Sequence, residues 1–278
     1  MTENYRWSAP CVAGRTVRFR DVGAVMGVLN VTPDSFSDGG LFLDHPAALE
    51  HGRWLISQGA SVVDVGGEST RPGADPVGVE EELERVLPVV EGLADEVRVS
   101  IDTRHEEVAR AAVAAGASIL NDVSAGLGPV AADLGVAWVA MHMLGDPRTM
   151  QEQPHYDDVV AEVRDFLVEK AEEAGSAGVK EVWIDPGIGF GKTTEHNLSI
   201  LANLDVLVDT GWPVVIGVSR KRFVGEVTGA SDGSATLTDV GDRQEGSVAL
   251  ATWAYAQGVD MVRAHDVGAT LDAARVVA

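Results

Sequence analysis

The sequence predicts an α/β chain folded as a (β/α)8 TIM barrel with an N-terminal hairpin. Three observations carry the prediction. Short apolar runs recur along the chain, each ending in a polar residue and giving way to a Gly-, Pro- or Ser-containing loop and then a helical pattern. The runs are nearly continuous Val, Ile, Leu and Ala, the pattern of parallel strands buried on both faces. The units follow one another too closely for a second domain, and a length of 278 residues suits one barrel. Residues 1–23 form a lead-in and residues 24–278 the barrel. A doubly wound open sheet has the same alternation, and pattern alone leaves it open.

In chain order, Met1–Gly23 alternates weakly at Thr16-Val17-Arg18-Phe19 and reads as a short hairpin closing one end of the barrel. Strands are expected at Val25–Asn30, Ser61–Gly66, Val97–Asp102, Ser118–Asp122, Ala137–His142, Val182–Asp185, Val214–Ser219 and Met261–His265. Helices are expected at Ala47–Gln58, Val79–Leu93, Glu106–Ala115, Pro129–Leu134, Asp158–Ala174, Thr194–Asp209, Arg243–Gln257 and Ala269–Val277. Gly59, Gly116, Gly135 and Gly258 close several of them, as helix C-termini favour. The polar stretch Gly229–Gly241 reads as a mobile loop within the seventh unit.

Composition narrows the function. A formal charge of −22 argues against nucleic acid, which needs clustered Lys and Arg. The acid lies mostly on expected helix faces, such as Glu80-Glu81-Glu82 with Glu84, and Glu169–Glu173. A solvated surface and adaptation to high salt both fit it. No apolar run is long enough to span a bilayer, and the polar N-terminus has no secretory apolar region. Cys11 is the single cysteine, so no intrachain disulfide forms, and the cytoplasm is the expected compartment.

In such a barrel the C-terminal strand ends share one mouth, where chemistry sits. Here they carry Asn30, Asp64, Asp102, Asn121, His142, Asp185, Ser219 with Lys221, and Arg263 with His265. Each alone is a common turn former or cap. Together they are polar at every end of an otherwise apolar barrel, where unpartnered carboxylates cost several kcal/mol. Asp102, Asn121 and Asp185 suit a flat heterocycle with ring N–H and amino donors, each bond contributing about 1.5–3 kcal/mol. Lys221, Arg263 and His265 stand on strands 7 and 8, where barrels commonly hold phosphate. Arg222 faces solvent on this reading. The implied ligand is a planar, donor-bearing ring joined to an anionic arm.

Two glycine-rich loops complete the mouth, Gly66–Gly73 after strand 2 and Asp185–Lys192 after strand 6. Neither matches a dinucleotide fingerprint, and Gly191-Lys192-Thr193 lacks the register of a P-loop. Cys11 lies far from any strand end, no Ser sits in a nucleophile elbow, and His142, His155, His196 and His265 lack zinc spacing.

At these residues the chain closely resembles the dihydropteroate synthase family, the folate-pathway enzymes that sulfonamides inhibit. The resemblance runs from about Val25 to the C-terminus. It rests on Gly27–Gly40, Asp64–Gly73, Ser100-Ile101-Asp102-Thr103, Asn121-Asp122-Val123-Ser124, Asp185–Lys192, Ser219-Arg220-Lys221 and Arg263-Ala264-His265-Asp266. It implies a (β/α)8 barrel and transfer of a pterin-methyl group from 7,8-dihydropterin-6-ylmethyl diphosphate to 4-aminobenzoate. Carried over by position, Asp102, Asn121, Asp185 and Lys221 would bind the pterin. Arg263 would stack on the ring and, with His265, Asn30 and Thr70, hold the diphosphate. Asn30 would ligate Mg2+. Phe36, Thr70, Pro72, Phe190 and Ser219, with the Lys221 stem, would frame the aminobenzoate. Asp102, Asp185, Lys221, Arg263 and His265 would carry the catalysis. Asp34 would pair with Arg71, and Thr32–Gly40 would act as a lid.

Departures from the family pattern are few: Ala125-Gly126 stands where Gly-Gly is common, and the Gly229–Gly241 loop is long. A homodimer through the helices around strands 7 and 8 is the assembly the resemblance implies. A pterin-dependent corrinoid methyltransferase would share the acids but need no diphosphate site. A non-catalytic pterin-binding paralogue remains the other alternative.

Overall fold

The computed structural model describes residues 23–32, 44–68, 76–146, 149–231 and 237–277, and the backbone of 11–12 and 15–16. Eight parallel strands form the sheet: β1 (Ala24–Asn30), β2 (Val62–Gly66), β3 (Arg98–Asp102), β4 (Ile119–Asp122), β5 (Ala137–Met141), β6 (Val182–Asp185), β7 (Val215–Gly217) and β8 (Met261–Ala264). From β1 to β6 each strand pairs with the next, and β8 pairs with both β1 and β7. The remaining seam, between β6 and β7, is bridged at Ile184–Val214, where Ile184 N–H also donates to the Pro213 carbonyl at 2.9 Å. The sheet is therefore a closed barrel and not an open doubly wound sheet. Ahead of it, Cys11–Val12 pairs antiparallel with Arg15–Thr16, the expected hairpin.

Helices wrap the barrel: α1 (His45–Ser57), α2 (Val79–Leu93), α3 (Glu106–Ala114), α4 (Gly128–Leu134), α5 (Val159–Ala177), α6 (Thr194–Ala202), α7 (Asp205–Val208), α8 (Arg222–Ser231), α9 (Gln244–Ala256) and α10 (Val267–Val277). Their starts follow capping chemistry. The Asp44 carboxylate accepts from Ala47 N–H at 2.9 Å at the head of α1. Thr193 and His196 exchange side chain–backbone bonds at the head of α6. Pro88 inside α2 has no N–H for the Glu84 carbonyl, and His45 Nε2 bonds that carbonyl at 3.0 Å instead.

Two helical expectations need correction. The single helix expected over Thr194–Asp209 is broken at Asn203, whose Nδ2 donates to the Ser199 carbonyl at 2.8 Å and competes with the helical ladder. The stretch Arg222–Ser231 was not expected to be helical, and its end was assigned to the loop Gly229–Gly241. Gly225 and Gly229 lower its intrinsic propensity by about 1 kcal/mol each. Burial of Phe223 and Val224 offsets this. Gly225 is needed there, since a Cβ would lie 2.6 Å from Arg243 Nε. The same loop ends in a 3-10 turn, Val240–Asp242, and 232–236 lie outside the described residues.

Strand alternation divides the core in two. Val25, Val63, Ile101, Leu120, Ile184, Ile216 and Val262 face outward against the helices. Met26, Val62, Ile119, Val139, Trp183, Val215 and Met261 face inward and form an apolar floor. Among the described residues no helix is long and apolar enough to cross a membrane.

Candidate active site

The site begins one layer above that floor. Two residues beyond Val62, Ile119, Trp183 and Met261 on their strands come Asp64, Asn121, Asp185 and Arg263. A period of two keeps all four on the inner face. Asp102 occupies the corresponding inner position at the end of β3, in register with Asn121 on one side and Gly66 on the other.

Arg263 ties this layer together. Its Nε donates to Asp64 Oδ2 at 2.6 Å and its Nη2 to Asp102 Oδ2 at 2.7 Å. Asp64 Oδ2 also accepts from Asn121 Nδ2 at 3.0 Å. An ionised carboxylate only accepts, so Asn121 must turn its NH2 toward Asp64 and its carbonyl oxygen elsewhere. Asp64 Oδ1 and Asp102 Oδ1 are buried without a hydrogen-bond partner. An unpartnered buried acceptor costs about 1–3 kcal/mol, which a ligand donor can recover at Asp102.

Burial raises the Asp102 carboxyl to about 7, with Arg263 opposing and Asp64 reinforcing the shift. Burial also raises Asp185, against a 2.7 Å bond from Gly187 N–H. Burial lowers Lys221 to about 8, and Arg263 lowers it further while Asp185 and Asp102 oppose. For Arg263, burial pulls down, but Asp64 and Asp102 outweigh it and hold the guanidinium above its usual range. Lys221 Nζ sits 4.1 Å from the Phe190 ring centroid, so the cation and the expected aminobenzoate wall are one unit.

Phe190 is held by a fastened loop. Gly187 and Gly191 have φ of 63° and 60°. A Cβ at either would meet a carbonyl oxygen, of His142 at 2.0 Å and of Leu144 at 2.4 Å. Lys192, 2% exposed, points under this loop. Its Nζ bonds the carbonyls of Gly187 and Phe190, both at 3.1 Å, and His142 Nδ1 at 2.9 Å. Burial pulls Lys192 down to about 7, and burial with Lys192 pulls His142 to about 3. His142 is thus neutral and serves the loop rather than the mouth, contrary to its place among the expected mouth residues. Asn197 Oδ1 accepts from Gly189 N–H at 2.8 Å, and Tyr156 O–H donates to the Gly191 carbonyl at 2.8 Å. Gly191-Lys192-Thr193 is loop staple and helix cap, as the rejection of a P-loop anticipated.

Just beyond β7 and β8, Ser219 Oγ lies 3.0 Å from His265 Nδ1 and accepts from the His265 backbone N–H at 3.2 Å. Arg220, at φ 57°, turns away and pairs with Asp266 at 2.8 and 3.1 Å. Lys221 then returns toward Asp185. Arg222 is exposed and pairs with Glu226, the solvent role expected of it.

Asn30 ends β1 half-buried, in register with Gly66, and so flanks the acid layer. One amide oxygen is a hard donor suited to Mg2+, which keeps waters and binds mainly through substrate phosphates. The donor set therefore fits an ion that arrives with a diphosphate. Asp34, Phe36, Thr70, Arg71 and Pro72 lie outside the described residues.

Several residues were not assigned a role from sequence. Asp64 was only one strand end among eight, although its spacing from Val62 matches that of Asn121 from Ile119. Lys192 carried no signal beyond a glycine-rich context. Asp122 accepts from Leu127 N–H at 2.6 Å and Trp138 Nε1–H at 3.2 Å and shapes the loop after β4. Glu68, Glu82 and His105 converge at the base of the loop after β2. Glu68 accepts from Arg104 at 3.0 and 3.1 Å and from Val77 N–H at 3.2 Å, and Glu82 lies 2.6 Å from His105 Nδ1. This is an ion-pair network that no sequence spacing reveals.

The profile of the pterin binding enzyme family matches residues 26–265. Dihydropteroate synthase of Escherichia coli (strain K12) is 46% identical over 263 residues, spanning 91% of this chain and 90% of that protein. The structure of Xanthomonas albilineans dihydropteroate synthase with 4-aminobenzoic acid is 49% identical, with a TM-score of 0.85, covering 95% of this chain and 94% of that one. Its complex with 7,8-dihydropteroate gives 46% identity and a TM-score of 0.81, covering 95% of each chain. The chain belongs to the pterin binding enzyme family, with the dihydropteroate synthases.

Proposed function

We infer that this protein is a dihydropteroate synthase: it condenses 7,8-dihydropterin-6-ylmethyl diphosphate with 4-aminobenzoate, giving 7,8-dihydropteroate and diphosphate. The observation that carries the reading is the sorting of the mouth. Acceptors stand on β3, β4 and β6, and cationic or donor groups on the loop after β7 and on β8. A pterin presents ring N–H and amino donors to Asp102, Asp185 and the Asn121 carbonyl. Arg263, His265 and Asn30 lie toward the diphosphate, with Lys221 between the two halves. Phe190 and Ser219 face the aminobenzoate.

No protein nucleophile is required, because the arylamine attacks the methylene carbon as the C–O bond to diphosphate breaks. Arg263, held between Asp64 and Asp102, is a preorganised cation that reorganises little as charge develops. Asp102 and Asp185 stabilise positive charge spreading into the pterin. Asn30 would hold Mg2+, which would supply charge neutralisation on the diphosphate. The transition state is dissociative, and a secondary isotope effect at the methylene above unity is the expected signature. An effect near unity overturns it.

The assembly we propose is a cytoplasmic homodimer. Leu198 on α6, Val227 on α8 and Trp253 on α9 are exposed apolar side chains. Trp253 Nε1 bonds the Leu201 carbonyl at 2.7 Å, so α6 and α9 form one face. Sedimentation of Trp253→Lys is expected to give monomer.

The test of activity is diphosphate release that requires both 4-aminobenzoate and Mg2+, repeated with Asp185→Asn. Release should fall by about 30-fold or more in the variant, as expected for lost charged hydrogen bonds. No release from the native chain would favour a non-catalytic pterin-binding protein.

A further inference from the structure

We infer that Asp64, which touches no substrate in the reaction above, is the positioning residue that sets what the pterin ring meets. The inference rests on the pterin reading of this mouth. Asp64 is fully buried and in register with Ser100 rather than with Asp102, so it lies behind the strand ends that face the mouth. Its Oδ2 accepts from two site residues at once, Arg263 Nε at 2.6 Å and Asn121 Nδ2 at 3.0 Å. Each bond fixes an orientation that is otherwise ambiguous.

An amide is nearly symmetrical in shape, and only its partners decide which end faces the ligand. With the Asn121 NH2 committed to Asp64, its carbonyl oxygen is left as an acceptor. The ring then meets acceptors alone from Asp102, Asn121 and Asp185. Selection for a donor-rich edge follows, because a ring offering acceptors there would leave buried acceptors opposed to its own. The guanidinium is likewise fixed. Its Nε lies on Asp64 and its Nη2 on Asp102, so the plane is set by two carboxylates before any ligand arrives.

Asp64→Leu tests the role. Leucine removes the oxygen that accepts from both Arg263 Nε and the Asn121 NH2. The NH2 is left without its buried partner and turns toward the ring, where it presents a donor. The dissociation constant of 6-hydroxymethyl-7,8-dihydropterin should rise by about 30-fold, roughly 2 kcal/mol at 1.4 kcal/mol per tenfold. The constant for inorganic diphosphate should move much less.

Asp64→Asn is the conservative control. Both bonds end on one oxygen, Oδ2, so an amide oxygen in that place still accepts from Arg263 Nε and Asn121 Nδ2. Most of the affinity lost in Asp64→Leu should be retained in Asp64→Asn. Melting temperatures of both variants, read in parallel, separate loss of fold from loss of orientation. Wild-type affinity in Asp64→Leu, or an equal loss in Asp64→Asn while both variants remain folded, overturns the inference. Failure of the native chain to bind the pterin overturns the underlying reading as well, and is distinct from both.

Discussion

At the scale of single residues, the site is defined by carboxylates held in conflict with their surroundings. Asp102 is the clearest case, raised to about 7 by burial although Arg263 lies 2.7 Å away. The unfolded chain loses this proton near 4, so between about pH 4 and 7 the fold binds more protons than the unfolded chain. The stability from this group is full below that window and falls as pH rises through it. Ligand binding has the opposite sign, because a ring bearing donors needs the carboxylate and must expel the proton. Pterin affinity should therefore tighten as pH rises from about 5.5 to 7.5, with net proton release. Calorimetry in buffers of differing ionisation enthalpy measures this directly. A flat affinity with no release would show that Asp102 is already ionised or does not accept from the ring. Lys221, lowered to about 8, sets the other limb. It loses its charge above that value, and kcat/KM should decline there. Lys221→Arg should keep the charge and move that limb upward.

At the scale of elements, the loops after strands decide which side chains arrive at the mouth. The loop after β6 is pinned from below by Lys192, which bonds carbonyls from Gly187 and Phe190. Lys192→Met would leave those acceptors unpaired. A loss of about 3 kcal/mol is expected, lowering Tm by roughly 6–12 °C. The KM for 4-aminobenzoate should rise because Phe190 is released, while pterin affinity changes little. The loop after β4 carries a local cost of its own. Ala125 has a φ of 50°, in the region that L side chains avoid. Ala125→Gly should stabilise by about 1 kcal/mol, or roughly 2 °C in Tm, despite removing a buried methyl. No rise in Tm would mean that the methyl contact outweighs the strain. These two loops also mark the limit of what the sequence revealed. Asp102, Asn121, Asp185 and Arg263 were legible because a strand has a period of two and each ends a run of buried apolar residues. Position along a strand therefore reported direction. Lys192, Asn197 and the Glu68–Arg104 pair were not legible, because a loop has no period and its contacts join segments distant in sequence. The helix Arg222–Ser231 was missed for a related reason: its Gly225 serves packing against Arg243, which local propensity cannot register.

At the scale of the whole molecule, local and global electrostatics point in opposite directions. The chain carries a formal charge of −22, while Lys221, Arg263 and His265 gather cationic and donor groups at one mouth. Both substrates are anions, so the global field repels what the mouth attracts. The two act over different distances. Exposed charges spread over the helices act through solvent and are screened beyond about 8–10 Å at 0.1–0.15 M salt. The mouth cations act at contact in a partly buried site and are screened far less. Added salt should therefore remove mostly the repulsion. At saturating Mg2+, kcat/KM for both substrates should rise about 3-fold between roughly 0.02 and 0.2 M monovalent salt, with kcat nearly constant, since approach is what the field slows. Binding of an uncharged pterin lacking the diphosphate should stay level over the same range. A monotonic fall in kcat/KM would mean that the mouth cations govern encounter and that the acidic surface is electrostatically remote from it. Equal salt dependence of the uncharged pterin would instead place the effect on the fold rather than on approach.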